Sequence, residues 1–416
     1  YIYIAMASTI SIVARDSLTP YQTLWHGETL VSENQRFELR FFSLGSSGPG
    51  LMYLGIWYKD IPGTVVWVAN RMNPLPVSAG LVFDINGSLV LQDVAGNIFW
   101  ISNTTKTVHR PILKLLDSGN LVVRGSRNLP DDGNFWQSFD YPGDTLLPGM
   151  KLGWDLKAGL DRMMTSWKNI DDPSYGEFLL SLESLQSPQL VLKRNLIHQA
   201  RWGPWDGKRF SGSNAFRTNP VFKAMYYVNA DEVYYTYEVL DDSTILRLVM
   251  TPLGNIQFLQ WKNKSREWIS IVSLNKDSCD RYGSCGPYGI CDADDPSCQC
   301  LDGFTANSPK DWWRMDCRGG CRRNYELNCS DGDGFVKFKG LKLPDNSTVW
   351  RSLSSEECGN KCLEECNCMA YTNLDVYGNG SECVVWLSDL FDIRNFPHGG
   401  DELYIRMAHG ELGMYQ

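Results

Sequence analysis

The sequence predicts a mainly β protein whose C-terminal third is held together by disulfides, and two features carry this prediction. Aromatic residues make up 12% of the 416 residues, with 15 Trp and 19 Tyr beside 37 Gly and 19 Pro. Such a mixture of flat side chains and turn formers favours many short strands over long helices. All 13 cysteines lie between Cys279 and Cys383. The length exceeds what one hydrophobic core usually serves, so about three domains are expected.

Internal repetition predicts serial β-hairpins over the first 278 residues. Residues 87–91 (Gly-Ser-Leu-Val-Leu) are echoed by 119–123 (Gly-Asn-Leu-Val-Val), and residues 96–100 (Gly-Asn-Ile-Phe-Trp) by 133–136 (Gly-Asn-Phe-Trp). Each copy is a turn followed by a short apolar or aromatic strand, because Gly and Asn accept the positive φ of tight turns. Residues 254–261 repeat the pattern with apolar and polar residues in alternation.

Helical patterns are scarce before residue 350. The spacing of Ser354 and Glu357 is that of a capping box, which predicts a helix that continues through Cys358 and Cys362. Cysteines four residues apart lie on one face of a helix, so both are placed to bridge to neighbouring segments.

Cysteine content and glycosylation sequons together predict an oxidising, extracellular environment. Cysteines at this density are typical of disulfides; the alternative is zinc ligation by Cys298 with Cys300 and Cys366 with Cys368, which lack a repeated C-x2-C spacing. Six sequons predict glycans at Asn86, Asn103, Asn263, Asn328, Asn346 and Asn379.

The termini and the charge restrict the partners. Residues 1–14 are apolar and end in small residues, so residues 1–15 are predicted to be the remnant of a signal peptide; a disordered or strand-forming terminus is the alternative. No run of 18 apolar residues is present, so a membrane anchor is expected only beyond Gln416. The formal charge is −9 and the cations are scattered, which argues against nucleic acid as a partner.

Six segments carry a family resemblance. They are residues 54–58 (Leu-Gly-Ile-Trp-Tyr), 65–71 (Val-Val-Trp-Val-Ala-Asn-Arg), 136–150, 203–212, 285–291 and 365–371. These segments resemble the signatures of the plant S-locus glycoproteins, a family that includes the G-type lectin S-receptor-like serine/threonine kinases. The likeness runs from residue 16 to residue 407.

The resemblance implies two tandem bulb-type lectin domains of the β-prism II kind. They would span residues 16–137 and 138–275, the second being the S-locus glycoprotein domain. An EGF-like module at 279–321 and a PAN/apple module, a small α+β unit, at 329–407 are expected to follow. In the receptor kinases of this family a transmembrane helix and a cytoplasmic kinase domain come next. The sequence contains neither, so no enzyme is expected in this segment.

Bulb-type lectins hold mannose with a Gln-x-Asp-x-Asn-x-Val-x-Tyr strand, whose polar side chains satisfy the sugar hydroxyls. The corresponding positions are Asp84, Asn86, Ser88, Val90 and Gln92 in the first segment, and Leu116, Ser118, Asn120, Val122 and Arg124 in the second. Of these, Val90, Asn120 and Val122 match the pattern, and a glycan on Asn86 would sit at the mouth of the pocket. Both strands are therefore expected to be degenerate and to serve as scaffold.

The resemblance also implies the disulfide pairing. The EGF-like module would pair Cys279 with Cys291, Cys285 with Cys298, and Cys300 with Cys321; the PAN module would pair Cys358 with Cys383 and Cys362 with Cys368, which leaves Cys329 with Cys366. Cys317 stays unpaired, either as an inert thiol shielded by Trp312 and Trp313 or as the site of an intermolecular disulfide that fixes a dimer. Calcium is not expected, because Ser278 stands where calcium-binding EGF modules have an acid or amide.

No motif of a catalytic centre is present. The acid pairs at 171–172 and 294–295 precede proline in turn-like contexts, which predicts solvated loops. Residues 331–334 resemble the start of a calcium loop but lack the bidentate Glu that such a loop needs. The sequence has no G-x-S-x-G, P-loop or H-E-x-x-H motif. Neither a metal nor a cofactor is expected.

The favoured hypothesis is a receptor ectodomain that perceives an extracellular peptide, lipid or glycan, with dimerisation or a co-receptor linked to binding. In related self-incompatibility receptors a small cysteine-rich peptide binds variable segments, which by position correspond to residues 210–222 and 263–277. The ligand itself is not predicted. The alternatives are a secreted S-locus-type glycoprotein or defence lectin, and a hydrolase, which would need two carboxylates about 5 to 10 Å apart.

Overall fold

A computed structural model describes residues 15–45, 51–102, 109–125, 134–213, 219–292, 297–329, 332–377 and 380–413. The predicted signal remnant therefore lies outside the described residues, except for Arg15. The chain divides into two compact units: Tyr1–Leu147 with Trp167–Gly176, and Pro148–Ser166 with Glu177–Gln416. Both are built mainly from short antiparallel strands, as the composition predicts.

Thirteen described strands of the first unit form three sheets, with the strand orders β1-β11-β12-β13, β10-β9-β8-β2 and β3-β4-β5-β6, and β7 also pairs with β5. Leucines from all three sheets are buried, because alternate residues of each strand face the core. The strands are β1 (Ser17–Leu18), β2 (Thr23–Trp25), β3 (Thr29–Val31), β4 (Phe37–Phe42), β5 (Leu51–Tyr58), β6 (Val65–Val68), β7 (Leu75–Pro76), β8 (Gly80–Phe83), β9 (Leu89–Gln92), β10 (Ile98–Ile101), β11 (Pro111–Leu115), β12 (Leu121–Gly125), β13 (Trp136–Gln137) and β14 (Thr145–Leu146).

The repeated glycines form the same turn in successive hairpins. Gly87, Gly96 and Gly119 have φ values of 89°, 85° and 85°. Each donates its backbone N–H to the carbonyl three residues earlier. Left-handed backbone of this kind is open to glycine without steric cost, so the sequence repeat is a repeat of turns. The fourth repeat glycine, Gly133, lies outside the described residues.

In residues 148–275, one sheet has the strand order β16-β15-β22-β21. Two further groups, β18-β19-β20 and β23-β24-β25, consist of strands that pair with their neighbours in sequence. This part therefore repeats the plan of short antiparallel strands in several sheets. The strands are β15 (Leu152–Asp155), β16 (Leu160–Arg162), β17 (Met164–Asn169), β18 (Asp172–Glu183), β19 (Gln189–Arg194), β20 (Ile197–Trp202), β21 (Phe222–Val228), β22 (Glu232–Val239), β23 (Leu246–Met250), β24 (Ile256–Lys262) and β25 (Glu267–Ser273).

The C-terminal part is an α+β arrangement. Its described strands form an eight-stranded sheet in the order β27-β26-β34-β30-β35-β32-β33-β31, beside the β28-β29 pair. The elements are β26 (Gly289–Asp292), β27 (Cys298–Cys300), β28 (Phe304–Ala306), α1 (Pro309–Trp313), β29 (Cys321–Arg323), β30 (Gly334–Lys342), β31 (Ser347–Trp350), α2 (Ser355–Glu364), β32 (Ala370–Leu374), β33 (Glu382–Trp386), β34 (Ile393–Asn395), β35 (Asp401–Met407) and α3 (His409–Leu412).

One sheet crosses the expected boundary between the EGF-like and PAN modules. Strand β26 pairs in parallel with β34, with Ile290 opposite Ile393. Helix α2 begins where the sequence predicts it: the Ser354 side chain accepts from the Glu357 N–H, and the Glu357 side chain accepts from the Ser354 N–H. Parallel pairing between distant segments depends on tertiary packing, so local sequence could not predict it.

A buried cluster of charges, which we call the charge junction, joins three segments of the second unit. Arg201 on β20 is 1% exposed and donates from Nε to Asp392 Oδ2 at 3.0 Å. Lys342 at the end of β30 donates to the same oxygen at 2.6 Å. Burial lowers the pKa of Lys342, while the Asp392 carboxylate opposes this effect. The junction therefore buries two cations on one carboxylate.

Asp345 extends the junction to the EGF-like segment. Its carboxylate accepts from the Tyr282 hydroxyl at 2.6 Å and from Gln189 Nε2 at 3.0 Å. Burial acts to raise the pKa of Asp345, but the Arg201 charge and these hydrogen bonds outweigh burial, so the pKa lies below its usual value. The ionised form of Asp345 thus stabilises the fold.

Replacing Asp392 with Asn should lower the free energy of unfolding by about 3 kcal/mol, because Arg201 and Lys342 would remain buried without their shared anion. Urea unfolding with the disulfides intact measures this change. The matched control is Glu177→Gln, which removes the partner of the exposed Arg194, 2.7 Å away, and should cost less than about 1 kcal/mol. Equal losses in the two variants would contradict the assigned role of the junction.

Asp345 should make part of the stability depend on pH. Since its pKa is lowered in the fold, its contribution is complete above about pH 5 and is lost as the pH falls below about 4. The gap in unfolding free energy between the chain and the Asp345→Asn variant should therefore shrink on acidification. Burial raises the pKa of Asp280, so its contribution to stability changes with pH in the opposite direction. That contribution is present in both proteins and cancels when their unfolding free energies are subtracted. A gap that stays constant from pH 7 to pH 3 would refute this assignment.

Candidate ligand-binding site

The first degenerate lectin strand uses its acid to build a turn. Asp84 Oδ1 accepts from the backbone N–H groups of Asn86 at 2.9 Å and Ser88 at 2.7 Å. Asn86 is exposed, Ser88 and Gln92 are half-buried, and Val90 is buried. Asp84, which stands where the lectin pattern has Gln, is thus engaged by the backbone of its own turn.

The second strand is engaged in the same way. Asn120 is 6% exposed. Its Oδ1 accepts from Ser138 Oγ and from the Phe139 N–H, both at 3.2 Å, and its Nδ2 donates to Gln137 at 3.0 Å. Val122 is fully buried, and Leu116 and Arg124 are half-buried while Ser118 is exposed. The matching residues of this strand therefore hold the hairpin to the segment around Ser138.

A cavity of about 300 Å³ in the first unit, which we call the aromatic cavity, lies among three tryptophans. Trp67 on β6, Trp100 on β10 and Trp136 on β13 meet edge to face, with ring centroids 6.1 to 6.4 Å apart. Tyr141 stacks on Trp136 at 6.1 Å. Trp100 and Trp136 end the repeated segments 96–100 and 133–136. The sequence repeat signalled two of these side chains, but not their convergence with Trp67.

Polar side chains at the aromatic cavity are paired within the protein. Arg71, 7% exposed, donates from Nε to the Pro173 carbonyl at 2.7 Å and lies 5.0 Å from the Tyr175 ring centroid. Burial lowers the pKa of Arg71, and the nearby Asp144 charge opposes this. Asn70 Oδ1 accepts from the Leu54 N–H at 2.9 Å. The charge of the cavity wall is therefore compensated.

The rim of the cavity is apolar and open to water. Met72, Ile101 and Tyr175 are about half exposed, at 53%, 49% and 59%. Ligand pockets start at about 300 Å³ and combine aromatic walls with a few fixed polar groups. The aromatic cavity fits that description for a small, uncharged ligand group.

Three family descriptions match the chain. Residues 64–168 match D-mannose binding lectin, residues 200–308 match the S-locus glycoprotein domain, and residues 329–393 match the PAN-like domain. The chain is 41% identical to an S-locus-specific glycoprotein of Brassica oleracea over 391 residues, which is 92% of the chain and 89% of that protein. The chain belongs to the S-locus glycoprotein family. This confirms the resemblance carried by the six signature segments.

Other members of this family are longer. A receptor-like serine/threonine-protein kinase of Arabidopsis thaliana is 42% identical over 99% of the chain, and the chain spans about half, 48%, of its length. Among solved structures, a lectin of Marasmius oreades shares 20% identity, covers 30% of the chain and 92% of its own length, and superposes with a TM-score of 0.24.

Six disulfides connect the C-terminal part of this family member. They join Cys279 to Cys291, Cys285 to Cys298, Cys300 to Cys321, Cys329 to Cys366, Cys358 to Cys383 and Cys362 to Cys368, the same pairs that the resemblance implies. Cys317 is a buried free thiol, and burial raises its pKa. Trp313 is 88% exposed, so it does not shield that thiol as expected.

The two segments expected to bind a peptide differ in exposure. In 210–222, Phe210 and Phe222 are buried, and residues 214–218 lie outside the described residues. Ser211 Oγ donates to Asp401 Oδ2 at 2.5 Å, so the start of this segment is a packed contact. In 263–277, residues 263–267 are exposed at a hairpin turn, whereas Asp277 pairs with Arg394 at 2.7 Å.

Four of the six predicted glycosylation sequons lie among the described residues. Asn86, Asn263, Asn328 and Asn346 are exposed, while Asn103 and Asn379 lie outside the described ranges, as do the acid pair 294–295 and Asp331. Within them, no group of three His, Cys, Asp or Glu side chains is arranged to hold a metal ion. Nor does any helix of the described residues have the length and hydropathy needed to cross a bilayer.

Replacing Asn120 with Ala should lower the free energy of unfolding by about 2 kcal/mol, because Ser138 and the Phe139 N–H lose a buried acceptor. Asn97→Ala is the control: that side chain is exposed and donates to Asp93 at 2.8 Å, so its loss should stay within about 0.5 kcal/mol. Chemical unfolding of both variants checks this. A stable Asn120→Ala protein would mean that the strand is not scaffold.

Proposed function

We propose that the chain is the ligand-recognising ectodomain of a plant cell-surface receptor-like kinase, which reaches the cell exterior by the secretory pathway. The observation that carries this proposal is the aromatic cavity, which has compensated charges and an open apolar rim. A cavity lined by aromatic rings and a few fixed polar groups supports ligand binding.

Membership of the family supports the remaining parts of the proposal. The chain matches one half of a receptor-like kinase, so a membrane anchor and a kinase domain are proposed to belong to the rest of the natural protein. The ligand is an extracellular peptide, lipid or glycan. Its binding changes the association of the ectodomain with a second copy or a co-receptor.

The second candidate is a secreted S-locus-type glycoprotein or carbohydrate-binding defence lectin. Two observations favour it: the chain covers 89% of a Brassica S-locus-specific glycoprotein, and residues 64–168 match D-mannose binding lectin. Native mass spectrometry with peptide, lipid and glycan libraries separates the two candidates. A receptor ectodomain should change its oligomeric mass when ligand binds, whereas a secreted lectin should bind glycans without such a change.

An uncharged ligand found in that screen should depend on the aromatic cavity. Trp100→Ala removes a half-buried wall of the cavity and should weaken binding at least about tenfold, as for a central aromatic contact. The control is Trp25→Ala, a 44% exposed tryptophan on β2 outside the cavity lining, which should leave the dissociation constant unchanged. Isothermal titration calorimetry of the two variants decides. Equal affinities would remove the cavity from the proposal.

A further inference from the structure

Residues 308–323, which we call the aromatic-basic loop, hold two large apolar side chains in water. Trp313 is 88% exposed and Met315 is 76% exposed. Helix α1, which carries Trp313, buries none of its residues. The neighbouring Trp312 packs against the C-terminal core instead. One tryptophan thus anchors the loop while the next points outward.

The loop is held firmly. The Ser308 side chain caps α1 by accepting from the Asp311 N–H. The N–H groups of Arg314 and Asp316 both donate to the Asp311 carbonyl, and that of Met315 donates to the Trp312 carbonyl, all at 2.9 Å. The Cys300–Cys321 disulfide closes the base. The backbone that carries the two exposed side chains is therefore preorganised for contact.

The loop is basic in an acidic protein. It contains five basic and two acidic residues, a formal charge of +3, whereas the chain as a whole carries −9. Arg318 is paired with Asp316 at 2.8 Å, and Arg323 turns inward over the Phe304 ring at 4.9 Å. The other three cations of the loop, Lys310, Arg314 and Arg322, are exposed, and Lys310 and Arg314 flank Trp313 in sequence.

Exposed aromatic rings among cations are suited to a flexible polyanion. The ring stacks on flat faces of successive units while Lys and Arg pair with the anionic groups, as in proteins that bind single-stranded nucleic acid. Here six disulfides and the sequons point to the cell exterior. Acidic polysaccharides are extracellular polyanions whose sugar rings, although puckered, present an apolar face of C–H groups that packs on an aromatic ring.

We propose that the aromatic-basic loop is a binding surface for an acidic polysaccharide. The face of a sugar ring packs on Trp313, and carboxylates of neighbouring sugars pair with Arg314, Arg322 and Lys310. Arginine forms bidentate hydrogen bonds with carboxylates, which fix the orientation of the bound sugar as well as attracting its charge. None of the residues of this surface lines the aromatic cavity, and the proposal does not depend on the function proposed above.

The test is calorimetric titration of the whole chain with a de-esterified galacturonate oligomer. Binding should weaken as salt rises, because paired counterions are released. Trp313→Ala should lower the affinity at least about fivefold, the loss expected for one stacking contact, and Arg314→Gln should flatten the salt dependence. Trp25→Ala, in the first unit, is the matched control and should bind like the unmodified chain. Circular dichroism establishes that each variant is folded.

Several results would overturn the proposal. They are unchanged affinity in Trp313→Ala, equal binding of a methyl-esterified oligomer that keeps the rings but lacks the carboxylates, or binding to phosphatidylserine-containing vesicles with none to the oligomer. The Trp100→Ala variant should bind the galacturonate oligomer normally. A negative result for the polysaccharide proposal can therefore be told apart from a negative result for ligand binding in the aromatic cavity.

Discussion

Burial of one carboxylate between two cations is the constraint around which the second unit is arranged. Asp392 accepts from Arg201 on β20 and from Lys342 on β30, so segments almost 200 residues apart in sequence must meet with their charges matched. A buried charge pair adds little net stability compared with an apolar contact, but a mismatched one is costly. Any arrangement of the three segments that leaves one of these charges buried without its partner is therefore penalised.

Different interactions stabilise the first unit and the C-terminal part of the chain. The first unit contains no cysteine and relies on leucines and aromatic rings from short hairpins. In the C-terminal part, six bridges restrict the unfolded chain and add to the stability that a buried hydrophobic cluster provides. Loops on such a scaffold are free to vary without loss of the fold, and this is the property that recognition domains need.

The positions that correspond to a lectin's mannose strand do not line the aromatic cavity of the first unit. Two residues that correspond to positions of a mannose strand accept hydrogen bonds within the protein: Asp84 from its own turn, and Asn120 from Ser138 in a neighbouring segment. The aromatic cavity instead uses the tryptophans that follow the repeated turns.

The sequence by itself determined the strands, their turns and the family. Glycine at repeated turns, alternation along the strands and the Ser354 capping box are local features, and local features follow from neighbouring residues. The six cysteine pairs could be proposed from the family resemblance alone. Tertiary structure decided the convergence of Trp67, Trp100 and Trp136, the charge junction, and the sheet that β26 and β34 share. It also turned Trp313 outward rather than over Cys317. The first three features join residues that are distant in sequence, and the orientation of Trp313 depends on which of two neighbouring tryptophans packs into the core. Short-range sequence patterns encode neither.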